Sequence, residues 1–187
     1  MVEAAAKKIY VVIGARGGTG AQLVHRLSER TAEQVGEIRA IVRDPSTIEA
    51  GLLPNDDRVK LIAGDVTRPD SLVEPFHGAD VVFYAAAGTT YNTCLAVDER
   101  GLGTTAAKAK EAGVRRMVMI SSQVVHPDNK WAFSRIMINT IFTGFFAFRG
   151  VMDMKWEGER LLRKSGQEYT IVRPGRLRYG RYKSAQP

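Results

Sequence analysis

Gly14, Gly17 and Gly20 recur every third residue in KKIYVVIGARGGTG, residues 7–20, directly after the apolar run Ile9 to Ile13. A helical pattern follows. A strand that turns through glycines into a helix leaves the helix N–H groups unpaired beside exposed backbone. That arrangement suits a pyrophosphate: the helix terminus attracts the anion and glycine lets it approach the main chain. Gly14, Ala15, Arg16, Gly17, Gly18, Thr19 and Gly20 are therefore the candidate cofactor loop.

Further along, side chains suited to the other parts of a dinucleotide stand where strands should end. Arg43 closes AIVRDP after the second apolar run. A carboxylate in this region would accept from a ribose 2′-hydroxyl, whereas an arginine accommodates the 2′-phosphate in bidentate fashion. With Arg16 as a second positive group, NADP(H) is expected rather than NAD(H). The competing readings are an Arg43–Asp44 pair and an Arg16 that simply faces water. Asp65 and Val66 follow the third run, where a carboxylate can accept from an adenine amino group or merely close a turn. Ala85, Ala86, Ala87 and Gly88 end the fourth, with side chains small enough for a ribose to lie against the backbone.

Six strand-like runs alternate with helical ones and carry these residues: Ile9–Ile13, Ile38–Val42, Val59–Ala63, Ala79–Ala86, Arg116–Ser121 and Gln167–Arg173. Helices are expected over Ala21–Arg30, from about Pro69, and over Leu95–Ala112, Trp131–Phe148 and Met152–Lys164, with a short helix or turn around Pro45–Ala50. Val- and Ile-rich runs without alternation suggest strands buried on both faces, hence a parallel sheet. The expected class is α/β: a Rossmann-type doubly wound sheet, order 3-2-1-4-5-6, helices on both faces, one domain over 1–187.

The bulk properties narrow the remaining choices. The 187 residues carry 27 Lys+Arg against 20 Asp+Glu, a net charge of +7. The excess is concentrated at the end, where Arg173 to Lys183 holds four arginines and one lysine without an acid. No basic patch interleaved with aromatics or reader motif accompanies it, so a nucleic-acid partner is not expected. Cys94 is the only cysteine, and His25, His77 and His126 are scattered, so neither a disulfide nor a metal site is expected. A reducing compartment is consistent, cytoplasmic or an organellar stroma or matrix. WAFSRIMINTIFTGFFAF, residues 131–148, is apolar but interrupted by Arg135 and Asn139. It falls short of the roughly 20 apolar residues of a spanning helix. A buried helix or protein-contact surface is the first reading; peripheral membrane attachment is the weaker one, helped slightly by the basic C-terminus.

Taken together, VIGARGGTG, AIVRDP, LIAGDVTRPDSL, DVVFYAAAG, AAKAKEAGVRRMVMISS and KWEGERLLRKSGQEYTIVRPGRL resemble the atypical short-chain dehydrogenase/reductases, specifically the NmrA-like NAD(P)-binding group. The resemblance implies a cofactor across the C-terminal edge of the sheet, with Pro174, Gly175, Arg176 and Leu177 near its nicotinamide end. It also implies a catalytic Ser–Tyr–Lys set, in which Ser orients a carbonyl, Tyr transfers the proton, and Lys lowers the Tyr pKa and holds the ribose. Ser122 and Lys155 match the first and last, but Val151 stands four residues before Lys155, where the Tyr belongs. Valine cannot transfer a proton. Tyr84, Tyr91 and His126 are weak substitutes, and Asp153 is expected to be solvated. Relatives continue past the RPG loop into a substrate region, whereas RYGRYKSAQP alone follows Leu177; that region is minimal, supplied by a partner, or outside this chain. The expected function is an NADP(H)-dependent oxidoreductase on a small carbonyl. The alternative is a non-catalytic NADP(H)-binding sensor or subunit of a larger complex.

Overall fold

The computed structural model describes residues 7–143 and 149–175. Six strands form one parallel sheet: β1 (Ile9–Ile13), β2 (Glu37–Val42), β3 (Val59–Ala63), β4 (Val81–Tyr84), β5 (Arg116–Ile120) and β6 (Tyr169–Val172), in the order β3-β2-β1-β4-β5-β6. The doubly wound order expected from the sequence is observed. Val11 pairs with Arg39 on one side and Val82 on the other, which puts β1 at the centre.

Alternate residues of the central strands feed two cores. Val11, Ile13, Ile41, Val82, Tyr84, Met117 and Met119 meet Phe76, Leu102, Ala106 and Leu162 on one face. Val12, Ile38, Ala40 and Val42 meet Val24, Val35, Leu23 and Leu27 on the other. The helices are α1 (Gly18–Ser28), α2 (Val73–Phe76), α3 (Tyr91–Cys94), α4 (Leu102–Glu111), α5 (Phe133–Thr143) and α6 (Val151–Lys164). Burial on both faces holds for the inner strands but not throughout. Leu61 on β3, and Tyr169 and Val172 on β6, are exposed, because these strands are the sheet's edges.

Several elements differ from expectation for local reasons. α1 begins at Gly18, since Gly18 and Gly20 continue the helix rather than delay it. The short helix or turn expected after β2 is a 3₁₀ turn, Pro45–Thr47, where Asp44 accepts from the Ser46 N–H. Pro69 likewise opens a 3₁₀ turn, Pro69–Leu72, before α2. β4 stops at Tyr84, and Ala85 to Ala87 leave the sheet. The following helix starts at Tyr91, where Thr90 and Thr93 cap each other, and its middle segment, Leu95–Gly101, is π-helical.

Candidate dinucleotide cleft

A cleft of about 530 Å³ opens beyond the C-terminal ends of β1 to β4. Ten of the expected cofactor residues line it: Gly14, Arg16, Gly17, Arg43, Asp65, Val66, Ala85, Ala86, Ala87 and Gly88. The remaining loop residues act beneath it or beside it. Ala15 is fully buried, and Gly20 is buried against Gly14. Gly18 and Thr19 form the first turn of α1.

The three glycines have separable reasons. Gly14 takes φ +81°, and a Cβ there would lie 2.7 Å from the Ala86 nitrogen. A Cβ on Gly20 would lie 2.1 Å from the Gly14 carbonyl oxygen. Packing of the chain on itself therefore dictates both. Gly17 differs: the Gly14 oxygen, at 3.3 Å, is all its Cβ would meet. Its open side faces the cleft, and as N-cap of α1 it brings no side chain to the first-turn N–H groups. This cradle fits a pyrophosphate, which would use the space and the N–H groups together.

Charge is placed at the same end. Arg16 and Arg43 are exposed, and among the described residues no hydrogen bond or ion pair holds either. Asp44 does not pair with Arg43. Its Oδ1 accepts from the Ser46 N–H at 2.9 Å and Oγ at 2.7 Å, and these bonds, with a small contribution from Arg16, hold its carboxyl below the usual range. Asp65 Oδ1 accepts from the Thr67 N–H (2.9 Å) and Oγ1 (2.8 Å), so it closes a turn while still lining the cleft. Thr47, Thr89, Thr93 and Val97 also line it and were not singled out in the sequence.

Of the expected catalytic residues, Lys155 is paired and Ser122 is half-buried. Val151 is 3% exposed and packs with Cys94, Met152 and Met154, against Leu95, Val124 and Ile138. Lys155 Nζ lies 2.5 Å from Asp98 Oδ1, in a pair where the aspartate is 1% exposed. Ser122 is half-buried after β5. Its neighbour Ser121 is the buried one, donating from Oγ to Glu159 Oε1 at 2.6 Å. The Gln123 N–H donates to the Pro174 carbonyl at 3.1 Å, and a Cβ on Gly175 would meet Gln123 Oε1 at 3.1 Å, which ties the two exit loops together. Arg176 and Leu177 lie outside the described residues.

Of the substitutes for the missing tyrosine, Tyr84 and His126 are engaged. Tyr84 is buried and donates to the Val97 carbonyl at 2.6 Å; burial first, then the charges of Asp98 and Asp65, push its pKa well above the usual value. Tyr91 is exposed in the first turn of α3. The His126 ring stands edge-on to Trp156 at 4.8 Å, and its Nδ1 accepts from the Asp128 N–H at 3.3 Å. Asp153 is not a free solvated acid, contrary to expectation. It accepts from Arg135 at 2.6 Å, from Asn139 and from the Gly150 N–H, because the start of α6 needs an acceptor for its unpaired donors.

Residues 131–148 divide. Arg135 is 2% exposed and donates to the carbonyls of Val124, Val125 and His126, which fastens α5 to the loop after β5. Trp131, Phe133, Ile136, Met137 and Ile141 are exposed. Residues 144–148 lie outside the described residues. No helix among the described residues is long and apolar enough to cross a membrane.

Asp98 was missed although its position carried a signal. Cys94, Asp98, Leu102, Thr105 and Ala109 are all buried, at nearly helical spacing. An acid among small and apolar residues on a buried face needs a partner.

Comparison with known proteins agrees with the cleft. Residues 14–186 match the family model described as NAD(P)H-binding. An uncharacterized chloroplastic protein of Arabidopsis thaliana is 30% identical over 177 residues, 92% of this chain and 60% of its own length. The uncharacterized sugar epimerase YhfK of Bacillus subtilis is 28% identical, over 89% of this chain and 71% of its own. The solved structure of the oxidoreductase ylbE from Lactococcus lactis superposes with a TM-score of 0.68 at 25% identity, covering 90% of this chain and 68% of that one. The chain thus spans 60% of the length of the first of these relatives and 71% of the second. With its six-stranded doubly wound sheet and its glycine cleft, the chain belongs to the NAD(P)H-binding family.

Proposed function

We propose that this chain binds NADP(H) and holds it without performing ordinary carbonyl reduction through its own side chains. The observation that carries the cofactor choice is the pair Arg16 and Arg43, which line the cleft without protein partners among the described residues. In doubly wound dinucleotide sites an arginine after the second strand accommodates the 2′-phosphate. Asp44, which also lines the cleft, has its Oδ1 taken by Ser46.

A bound nicotinamide supplies hydride chemistry. Reducing a carbonyl also needs a proton donor beside the developing oxyanion. The slot for one holds Val151, sealed in an apolar cluster, and Lys155 is neutralised by Asp98. These features support the sensor or subunit reading, for which the exposed row on α5 offers a contact surface. The second reading is an oxidoreductase on a small carbonyl, with Ser122 orienting it. Family membership and the half-buried Ser122 favour it.

The test is a fluorescence titration with NADPH and NADH, followed by NADPH oxidation at about 340 nm across a carbonyl panel. Tighter binding of NADPH is expected, and Arg43→Asp should weaken it about 10- to 100-fold, the value of one charge-assisted contact, and favour NADH. Equal affinities in the unaltered chain would refute the NADP(H) assignment. Carbonyl-dependent oxidation would select the oxidoreductase reading.

A further inference from the structure

The Asp98 carboxylate joins three elements: the Gly88 turn, the π-helical stretch and α6. Its Oδ1 receives Lys155 Nζ from α6 at 2.5 Å, and its Oδ2 accepts the Gly88 N–H at 2.8 Å. Gly88 lines the cleft, and its backbone is pressed onto the start of the helix: a Cβ there would lie 2.2 Å from the Cys94 nitrogen. On the opposite side, a Cβ on Gly158 of α6 would lie 2.1 Å from the Asp98 carbonyl oxygen. Asp98 itself lies in the π-helical stretch, a widened turn that recurs at functional sites.

We propose that Lys155 is a positioning residue that acts on the dinucleotide through Asp98, and that it does not touch the ribose. Its ammonium holds the buried carboxylate seated under Gly88, which fixes the Ala85–Gly88 wall of the cleft. The inference rests on dinucleotide binding in this cleft. Two considerations favour it over a free lysine reaching the cofactor. The Lys155 side chain is 13% exposed. An ammonium withdrawn toward a ribose would leave Asp98 buried with a backbone N–H as its remaining partner, which is costly for a carboxylate. The wall is braced from the same helix a second time, by Tyr84 donating to the carbonyl of Val97, another lining residue.

The experiment measures the NADPH dissociation constant by fluorescence, well below each variant's melting temperature, for the full chain, Lys155→Met, Asp98→Asn and the double variant. Lys155→Met should weaken binding about tenfold or more, as expected for a charge left buried without its partner. The double variant should recover to within about threefold of the unaltered chain, because the Asn amide oxygen still accepts the Gly88 N–H and no charge is left unpaired. A lysine that held the ribose directly would leave the double variant as weak as Lys155→Met, and that result overturns the proposal. A merely structural pair would lower the melting temperature and leave the dissociation constant of the folded chain unchanged, which also overturns it. Should Lys155→Met not fold, the double variant alone decides: binding within about threefold of the unaltered chain supports the proposal, and binding about tenfold weaker or more refutes it. An unaltered chain that binds neither NADPH nor NADH would remove the dinucleotide reading and this inference with it. Binding with no coupling between the two sites removes this inference alone.

Discussion

Glu159 and Arg173 are joined by two hydrogen bonds across the gap between α6 and the end of β6, Nε to Oε1 at 3.0 Å and Nη2 to Oε2 at 2.5 Å. Ser121 and Arg163 donate to the same carboxylate, which is fully buried. One side chain thus fixes the exits of both β5 and β6 at the sheet's C-terminal edge.

That arrangement makes stability depend on pH in a definite direction. Burial alone would raise the Glu159 pKa, but the bonds from Arg173, Ser121 and Arg163 outweigh it and bring the value below 4.5. The stabilisation is therefore present above the unfolded value and is lost as pH falls through the lower folded value. Glu159→Gln should cost about 3 kcal/mol at neutral pH, the low end for a broken buried pair because both arginines keep some access to water. Urea unfolding from pH 7 to 3 should show the gap to the unaltered chain closing below pH 4.5. A constant gap would mean the carboxylate's charge is not what stabilises the junction.

The glycine loop separates folding from binding. Gly20→Ala forces a methyl group toward the Gly14 carbonyl, where 2.1 Å is available, and the obstacle is backbone. We expect a loss of about 3 kcal/mol or more, the upper range for overpacking. Gly17→Ala meets that oxygen at 3.3 Å and should change stability by less than about 1 kcal/mol. It should still weaken NADPH at least tenfold, roughly the cost of losing one close backbone–phosphate approach. Denaturation and titration on the same two variants check both statements. Equal effects of the two on stability would contradict the division of roles.

The alkaline limb has its own signature. Burial, followed by the Asp98 charge, pushes the Cys94 thiol up to about 11. The thiol is a weak nucleophile while protonated, so alkylation in the folded chain at pH 8 should be far slower than in urea. The unfolded chain releases this proton at lower pH than the folded one, and the Tyr84 phenol behaves likewise. Stability should therefore fall as pH rises from about 9 toward 11. Rapid labelling of the folded chain at pH 8 would show that the α3 cluster opens.

The contrast among these residues explains what the sequence disclosed. Gly14, Gly17 and Gly20 were legible because their demands are local: a turn, a close approach and a helix start within seven residues. Arg43 was legible because the end of a strand fixes where its side chain emerges. Asp98 was hidden because its partners, Gly88 and Lys155, lie 10 and 57 residues away and the π turn is not written in residue types. Glu159 was hidden for the same reason, since Ser121 is 38 residues distant. The vacancy at Val151 was visible, but not that Cys94, Val124 and Ile138 would seal it.

That seal decides what restoring the tyrosine would do. Val151 and Lys155 are one helical turn apart and share a side of α6. Val151→Tyr therefore puts the residue types of the missing set at the spacing the resemblance implies. The surroundings do not supply the chemistry. The ring would have to enter the space held by Cys94, Met152 and Met154, and overpacking there should cost about 1–3 kcal/mol. Its hydroxyl would meet an apolar cluster, and the lysine meant to lower its pKa is 2.5 Å from Asp98. Desolvation would instead raise the phenol pKa, as it does for Tyr84. We expect a destabilised chain that still binds NADPH and gains no carbonyl-dependent oxidation at about 340 nm. Turnover appearing in a stable Val151→Tyr chain would show that the cluster opens toward the nicotinamide end, and that the tyrosine alone was missing.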